Sequence, residues 1–252
     1  MNRAIEPRDR YNLRKALSLM ERDIKLLKDT DTHVLNQSLG KRYHILAQPL
    51  SLNVQDARAP KFFTPFYVDH EYNTSSTLLP SEWGWSIYLY LDAYIHKLLV
   101  KFPEVWQTWS CKQVGDYDFG DLYRTFDPKF GSLAIWHVLE SSRPHIKCIM
   151  HNNLDSNDSY LLRGKVLTVI RIMLGQLKQK IFVNDMIAPV LLFSLNRRRP
   201  RVIEAYFDGP ELVIRRTEPY DFQFLNTAGF KTFAQWFLSN PIGDTSKRAV
   251  RT

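Results

Sequence analysis

The residues of this chain whose types and spacing suit chemistry gather between positions 187 and 216. The stretch IAPVLLFSLNRRRPRVIEAYFDGPELVIRR reads as three strands, over 187–195, 201–207 and 211–216, joined by a short basic loop and a DGP turn. Strands in that order form an antiparallel meander, and the third returns to the end where the first one left. Arg197, Arg198, Arg199, Arg201, Arg215 and Arg216 therefore converge. Six guanidinium groups at one end of a sheet repel each other unless an anion or an acidic partner neutralises them, and arginine's planar fork fits phosphate oxygens. Two readings stand: a site for a phosphate backbone, or a solvated basic loop.

With Gly209 and Pro210 as the turn, Asp208 pairs with Glu211 and Glu204 lies opposite Arg215. Glu204 is then either one half of a cross-strand ion pair or a site carboxylate kept ionised by the arginine, with Tyr206 on the same face. Ser194, at the end of the most apolar strand, is the best-placed hydroxyl for covalent chemistry, against the plainer role of a strand-end serine bonded to backbone. Asp69, His70 and Glu71 form an acid, base, acid run. Strand alternation puts Asp69 and Glu71 on one face, where they suit a cationic substrate, a metal or acid–base work, or simply close a solvated strand end.

Several chemistries are disfavoured. His145, Cys148 and His151 are spaced H-x2-C-x2-H, but the only other cysteine, Cys111, is far off in sequence, so the four-ligand set of structural zinc is missing and no metal is expected. GDYDFGD contains the letters DFG without a glycine-rich phosphate loop or HRD element, which argues against a kinase. The chain has no G-x-G-x-x-G, G-x4-G-K-[ST], G-x-S-x-G or H-E-x-x-H. Glu204 is followed by Ala205 and Tyr206, not by the E-x-K of restriction-type nucleases, so a nuclease remains a distant alternative. No cofactor is expected.

Helices must hold these residues in place. Leu13, Leu17, Met20, Ile24 and Leu27 predict an amphipathic helix over 10–28, with Arg14, Lys15, Arg22 and Lys25 on its other face. Ser81 caps a second, over 81–102, with Ile87, Leu91, Ile95, Leu98 and Leu99 inward and Pro103 as its stop. The strongest spans 160–180, with Leu162, Val166, Val169, Ile170, Met173 and Leu177 on one side. Asn226 caps a closing helix in which Phe230, Phe233, Trp236 and Phe237 face inward before Pro241. Residues 61–72 read as an edge or irregular strand limited by Pro65, 112–131 as loop, 132–141 as a short helix and 143–150 as a strand. The expected architecture is one α+β, or mixed α/β, domain over 1–243, its three-strand meander packed by amphipathic helices, followed by a basic flexible tail over 244–252.

Composition supports a globular chain: of 252 residues, 44% are hydrophobic, 24% charged and 13% aromatic, which excludes disorder, collagen and disulfide scaffolds. No window approaches the ~18 uncharged apolar residues of a membrane span, and the start, MNRAIEPRDRYNLRK, lacks the apolar core of a secretory signal. A soluble, cytoplasmic protein without membrane contact is expected, and the two cysteines read as free thiols. Lys and Arg total 34 against 26 Asp and Glu, and the net charge of +8 favours polyanion partners such as RNA, DNA or a phosphorylated ligand.

The segments MIAPVLLFSL, RPRVIEAYFDGPELVIRRTEPYDF and FKTFAQWFLSNPIGDT resemble a large group of filamentous-fungal proteins: an apolar strand with a proline, an Arg-started strand ending in DG, a short basic strand, and an aromatic helix before P-x-G-T. The resemblance covers about a third of the chain. In length, basicity and lack of ordinary enzyme motifs the chain is also similar to the fungal arginine-containing cyclodipeptide synthases. That likeness implies two aminoacyl-tRNAs as acyl donors, with neither ATP nor metal. The serine motif and Tyr-x3-Glu helix of the bacterial cyclodipeptide synthases do not occur here. Under this resemblance Arg197, Arg198, Arg199 and Arg201, with Arg215 and Arg216 beside them, position tRNA phosphates. Glu204 and Asp69, flanked by Glu71 and Asp208, hold a substrate ammonium or guanidinium, Tyr206 donates a hydroxyl, and Ser194 accepts the acyl group. The alternative from another class is a non-enzymatic protein that binds nucleic acid or another partner.

Overall fold

Seven segments build one mixed sheet, and the five inner ones are apolar enough to be buried on both faces. The structure, a computed structural model, describes residues 6–67, 84–111, 113–125, 130–154 and 160–247. Numbered in chain order, the strands are β1 (Ile45–Pro49), β2 (Trp109–Cys111), β3 (Phe130–Val138), β4 (Ile146–Asn152), β5 (Val190–Asn196), β6 (Arg201–Phe207) and β7 (Leu212–Arg216). They lie side by side in the order β1-β7-β6-β5-β4-β3-β2. β5, β6 and β7 are antiparallel neighbours, β7 is parallel to β1, β5 is parallel to β4, and β3 is antiparallel to both β4 and β2. Parallel neighbours need a crossover, and between β4 and β5 it is supplied by the helix α4 (Arg163–Lys178).

Helices cover both faces, which is why the central strands carry no polar alternation. On one face lie α1 (Arg8–Leu26) and α4, whose Leu13, Leu17, Ile24, Val166, Ile170 and Met173 pack on Ile146, Leu192, Ile203 and Ile214. On the other lie α3 (Gly84–Lys101) and α5 (Thr227–Phe237), whose Ile87, Leu91, Phe233 and Phe237 pack on Ile149, Phe193, Val202 and Val213. The remaining helix, α2 (Gln37–Arg42), is a single short turn capped by Asn36. Two buried polar devices fasten the layers. Arg10, 3% exposed, donates Nη2 to the carbonyl of Leu177 (2.6 Å) and Nε to that of Asp185 (2.9 Å), tying α1 to the end of α4. Lys147, wholly buried in β4, donates to the carbonyls of Phe237 and Ser239, both at 2.6 Å, and lies 3.6 Å from the centre of the Trp109 ring. A cation at the C-terminal end of α5 meets the negative end of its dipole. Burial holds the Lys147 ammonium well below the usual lysine range.

The structure departs from the sequence reading in several places. Residues 132–141 do not form a helix: they belong to β3, where Ile135 enters one core and Trp136 and Val138 the other. A strand apolar on both faces has no period to distinguish it from a buried helix. Of the strand expected over 61–72, the described residues 61–67 hold only Phe63–Thr64, paired with Asn240–Pro241, since Pro65 follows at once, and residues 68–72 lie outside the described residues. The expected loose tail is docked at its start: Thr245 is buried, its carbonyl accepts from the amides of Met186 and Ile187, and its Oγ1 donates to Asp185 Oδ1 at 2.5 Å. The three central strands are the middle of a seven-stranded sheet rather than a sheet of their own.

Candidate functional site

The mixed sheet gathers one end of every central strand. Asn152 of β4, Asn196 of β5, Arg216 of β7 and Pro49 of β1 are C-terminal residues; Phe130 of β3 and Arg201 of β6 are N-terminal ones. Register puts all six at the same end. In open α/β sheets, such ends beside a crossover helix are where ligands bind.

Alternation then divides the arginines. Arg201 and Arg216 share the α4 face with Ile203 and Ile214, whereas Arg215 shares the α3 face with Val213. Arg201 and Arg215 are buried at 2% and 4% exposure, Arg198 and Arg216 are half-buried, and only Arg197 and Arg199 are exposed. Arg197 opens the tight turn after β5 with φ of 49° and donates Nε to the carbonyl of Asn153 at 3.0 Å. Convergence of all six side chains is therefore corrected: five lie on the loop and the α4 face, and Arg215 points the other way because consecutive strand residues face opposite sides.

Arg215 belongs to a clamp. Its Nη1 donates to Glu204 Oε2 (2.6 Å) and to the carbonyl of Ala59 (3.0 Å), and its Nη2 donates to the carbonyl of Arg58 (2.8 Å). Glu204, 0% exposed, accepts at Oε1 from the amides of Lys61 (2.7 Å) and Phe62 (2.9 Å). Burial pushes the Glu204 carboxyl up, and the Phe62 amide and the Arg215 guanidinium pull against it. The pair pins residues 58–62 across the sheet, and every polar atom of Glu204 is engaged in doing so. Tyr206, next on that face, packs edge-on against Phe62 at 5.1 Å. Asp208 sits at the opposite end of β6, where its Oδ1 accepts from the amide of Glu211 at 3.1 Å. Glu204, Tyr206 and Asp208 are thus not brought to the arginine end. Asp69 and Glu71, with His70, lie outside the described residues.

Ser194 is on the α4 face, paired with Arg201 across the ladder. It is wholly buried, and its Oγ has no hydrogen-bond partner among the described residues. Above it lies what the sequence reading passed over. The first turn of α4 reads Arg163-Gly164-Lys165, and both charged residues are 4% exposed. Phe130 of β3 touches Gly164 so closely that a Cβ there would come within 2.7 Å of its ring, which seats the turn on the strand ends. Lys165 makes no hydrogen bond or ion pair among the described residues; burial first, then the charges of Arg201 and Arg216, push its ammonium down to about 7.

The nearby cavity, ≈ 430 Å³, is lined by Asn36, Lys41, Tyr160, Leu161 and Arg216 among others, and none of the described residues that line it is acidic. Arg216 Nη1 donates to the carbonyl of Tyr160 at its wall, 2.6 Å away. Among the described residues no cluster of His, Cys, Asp and Glu suits a metal, and Cys148 and His145 point into different cores. No described helix is long and apolar enough to cross a membrane. No family model matches the chain, and no curated protein or solved structure is significantly similar to it.

Proposed function

We propose that the chain binds nucleic acid through the cationic end of its sheet, and that it does so as an aminoacyl-tRNA-dependent acyltransferase of cyclodipeptide synthase type. The observation that carries the binding is the placement of exposed Arg197 and Arg199 beside half-buried Arg198 and Arg216 at one sheet end, next to a cavity lined by Lys41 and Arg216. Guanidinium groups so spaced suit consecutive phosphates and position an RNA without reading its bases. The acyl step uses Ser194: its Oγ forms the new ester bond, the bond to the tRNA 3′ oxygen breaks, and the hydroxyl proton passes to that oxygen. Glu204, Tyr206 and Asp208 have no part in this version, because the clamp and the far turn occupy them.

A second reading, a binding protein without turnover, is favoured by the complete burial of Ser194. One pair of measurements separates them. Purified protein binds tRNA in a filter assay with an affinity that falls steeply with salt under both readings. Incubation with the full set of charged tRNAs yields cyclic dipeptides by mass spectrometry only under the first, and salt-dependent binding with no such product leaves the second.

A further inference from the structure

We propose that the first turn of α4 and the strand ends beneath it form a buried oxyanion site that takes a phosphate-class group on Lys165, Arg163, Ser194 and Asn152. The proposal rests on the anion-binding reading of this sheet end, and it is independent of acyl transfer.

Donor and acceptor accounting carries the argument. Buried polar atoms in folded proteins are nearly always paired, so a group of unpaired ones calls for a guest. Here Arg163 Nε, Asn152 Nδ2 and Ser194 Oγ are buried without partners among the described residues. Their residues are 4%, 2% and 0% exposed. The acceptor of Asn152 is already used, its Oδ1 receiving the amide of Leu154 at 2.9 Å, so its spare capacity is donation alone. Lys165 contributes an ammonium that can only donate. Among the described residues no side chain caps α4, and of its first amides that of Arg163 alone meets an acceptor, the carbonyl of His33 at 2.8 Å. The amides of Gly164 and Lys165 are two more donors aimed out of the helix end.

The pieces are brought together by contacts already described. Gly164 seats on Phe130, which is the ladder partner of Asn152. Lys165 feels the charges of Arg201 and Arg216, and Arg201 is the ladder partner of Ser194. The first turn of α4 therefore spans β3 to β7, with Asn152 and Ser194 on the strand faces below it. What is missing from such a set is a small guest that accepts on several sides and carries negative charge. A tetrahedral oxyanion meets both needs: the ammonium of Lys165 supplies the countercharge, and Arg163, whose Nη2 meets His33 Nδ1 at 3.2 Å, offers its Nε.

The test is calorimetric titration of the full chain with inorganic phosphate at fixed ionic strength, alongside thermal unfolding in the same buffers. The wild type is expected to show saturable one-to-one binding and a melting temperature that rises with phosphate. Lys165→Met is expected to bind at least tenfold more weakly, and Ser194→Ala several-fold more weakly; if Lys165→Met does not fold, Ser194→Ala decides. Replacing exposed Arg197 and Arg199 by Gln should leave phosphate binding unchanged while weakening tRNA. Competition between tRNA and phosphate would identify the oxyanion as one of the RNA's own phosphates, and simultaneous binding would identify a free phosphate-class ligand; both support the site. Absence of saturable phosphate binding by the folded wild type, or its persistence in both variants, overturns it. Loss of tRNA binding alone, with phosphate binding intact, would instead remove the nucleic-acid reading and leave the oxyanion site standing.

Discussion

The clamp between Glu204 and Arg215 shows how a residue suited to chemistry is consumed by structure. Desolvating both charges is costly, and the offset comes from the pair itself plus two amides and two carbonyls of residues 58–62. Glu204→Ala leaves a guanidinium buried against carbonyls alone, so it should cost about 3–5 kcal/mol in urea unfolding. Joint replacement, Glu204→Leu with Arg215→Met, removes both charges and should recover at least half of that loss; a double variant no better than the single one would contradict the assignment. His145 gives the corresponding pH statement. Buried between Phe62 and Phe63, with Nε2 on the carbonyl of Ile242, it is pushed down to about 4 by burial, against an ordinary value of 6.5. A histidine kept neutral in the fold takes up its proton more readily when unfolded. Its contribution is therefore complete above about pH 6.5, is lost as pH falls toward 4, and changes no further below that. At about 1.4 kcal/mol per pH unit the full effect is on the order of 3 kcal/mol. Between pH 7.5 and 5.0 the unfolding free energy of the wild type should drop by about 2 kcal/mol more than that of His145→Phe.

At the level of elements, α4 does most to create the site, and its N-terminal turn depends on a glycine. Gly164→Ala gains helix propensity of up to about 1 kcal/mol but drives a methyl to 2.7 Å from the Phe130 ring. We expect net destabilisation of about 1–3 kcal/mol, relieved when Phe130→Leu makes room. A double-variant cycle in urea measures that coupling, and additivity would show that the turn does not rest on Phe130. The same elements show what the sequence can and cannot disclose. Helices α1, α4 and α5 were legible from their spacing, and β6 from the proline before it and the Asp-Gly after it, because these are local signals. β3 was not, since burial on both faces erases its period, and only the partner layers reveal it. The opposition of Glu204 and Arg215 followed from turn length, whereas the convergence of Arg215 with Arg216 ignored the two-residue period of a strand. Lys165 escaped notice because a charged residue near a helix start ordinarily faces water; its burial is decided by α4 lying across the strand ends, a tertiary fact.

For the molecule as a whole the question is whether polyanion binding comes from a place or merely from a net charge of +8. Diffuse attraction would respond equally to the loss of any two cations, whereas a local interface responds only to its own. The fold offers a matched comparison. Exposed Arg197 and Arg199 stand at the site end, while exposed Lys178 and Lys180 stand at the far end of α4, which at 16 residues is about 24 Å long. Each pair, replaced by Gln, removes the same formal charge from exposed positions. If the sheet end holds RNA phosphates, the arginine pair should lower the slope of log affinity against log salt by about 1.4–1.8, since each phosphate contact contributes about 0.7–0.9. The lysine pair should leave the slope within about 0.3 of the wild type, because beyond a Debye length of about 10 Å its charges are screened from the bound strand. Equal reductions in the two variants would mean that the chain attracts polyanions through its overall charge, and the arginine loop would lose its claim to a defined interface.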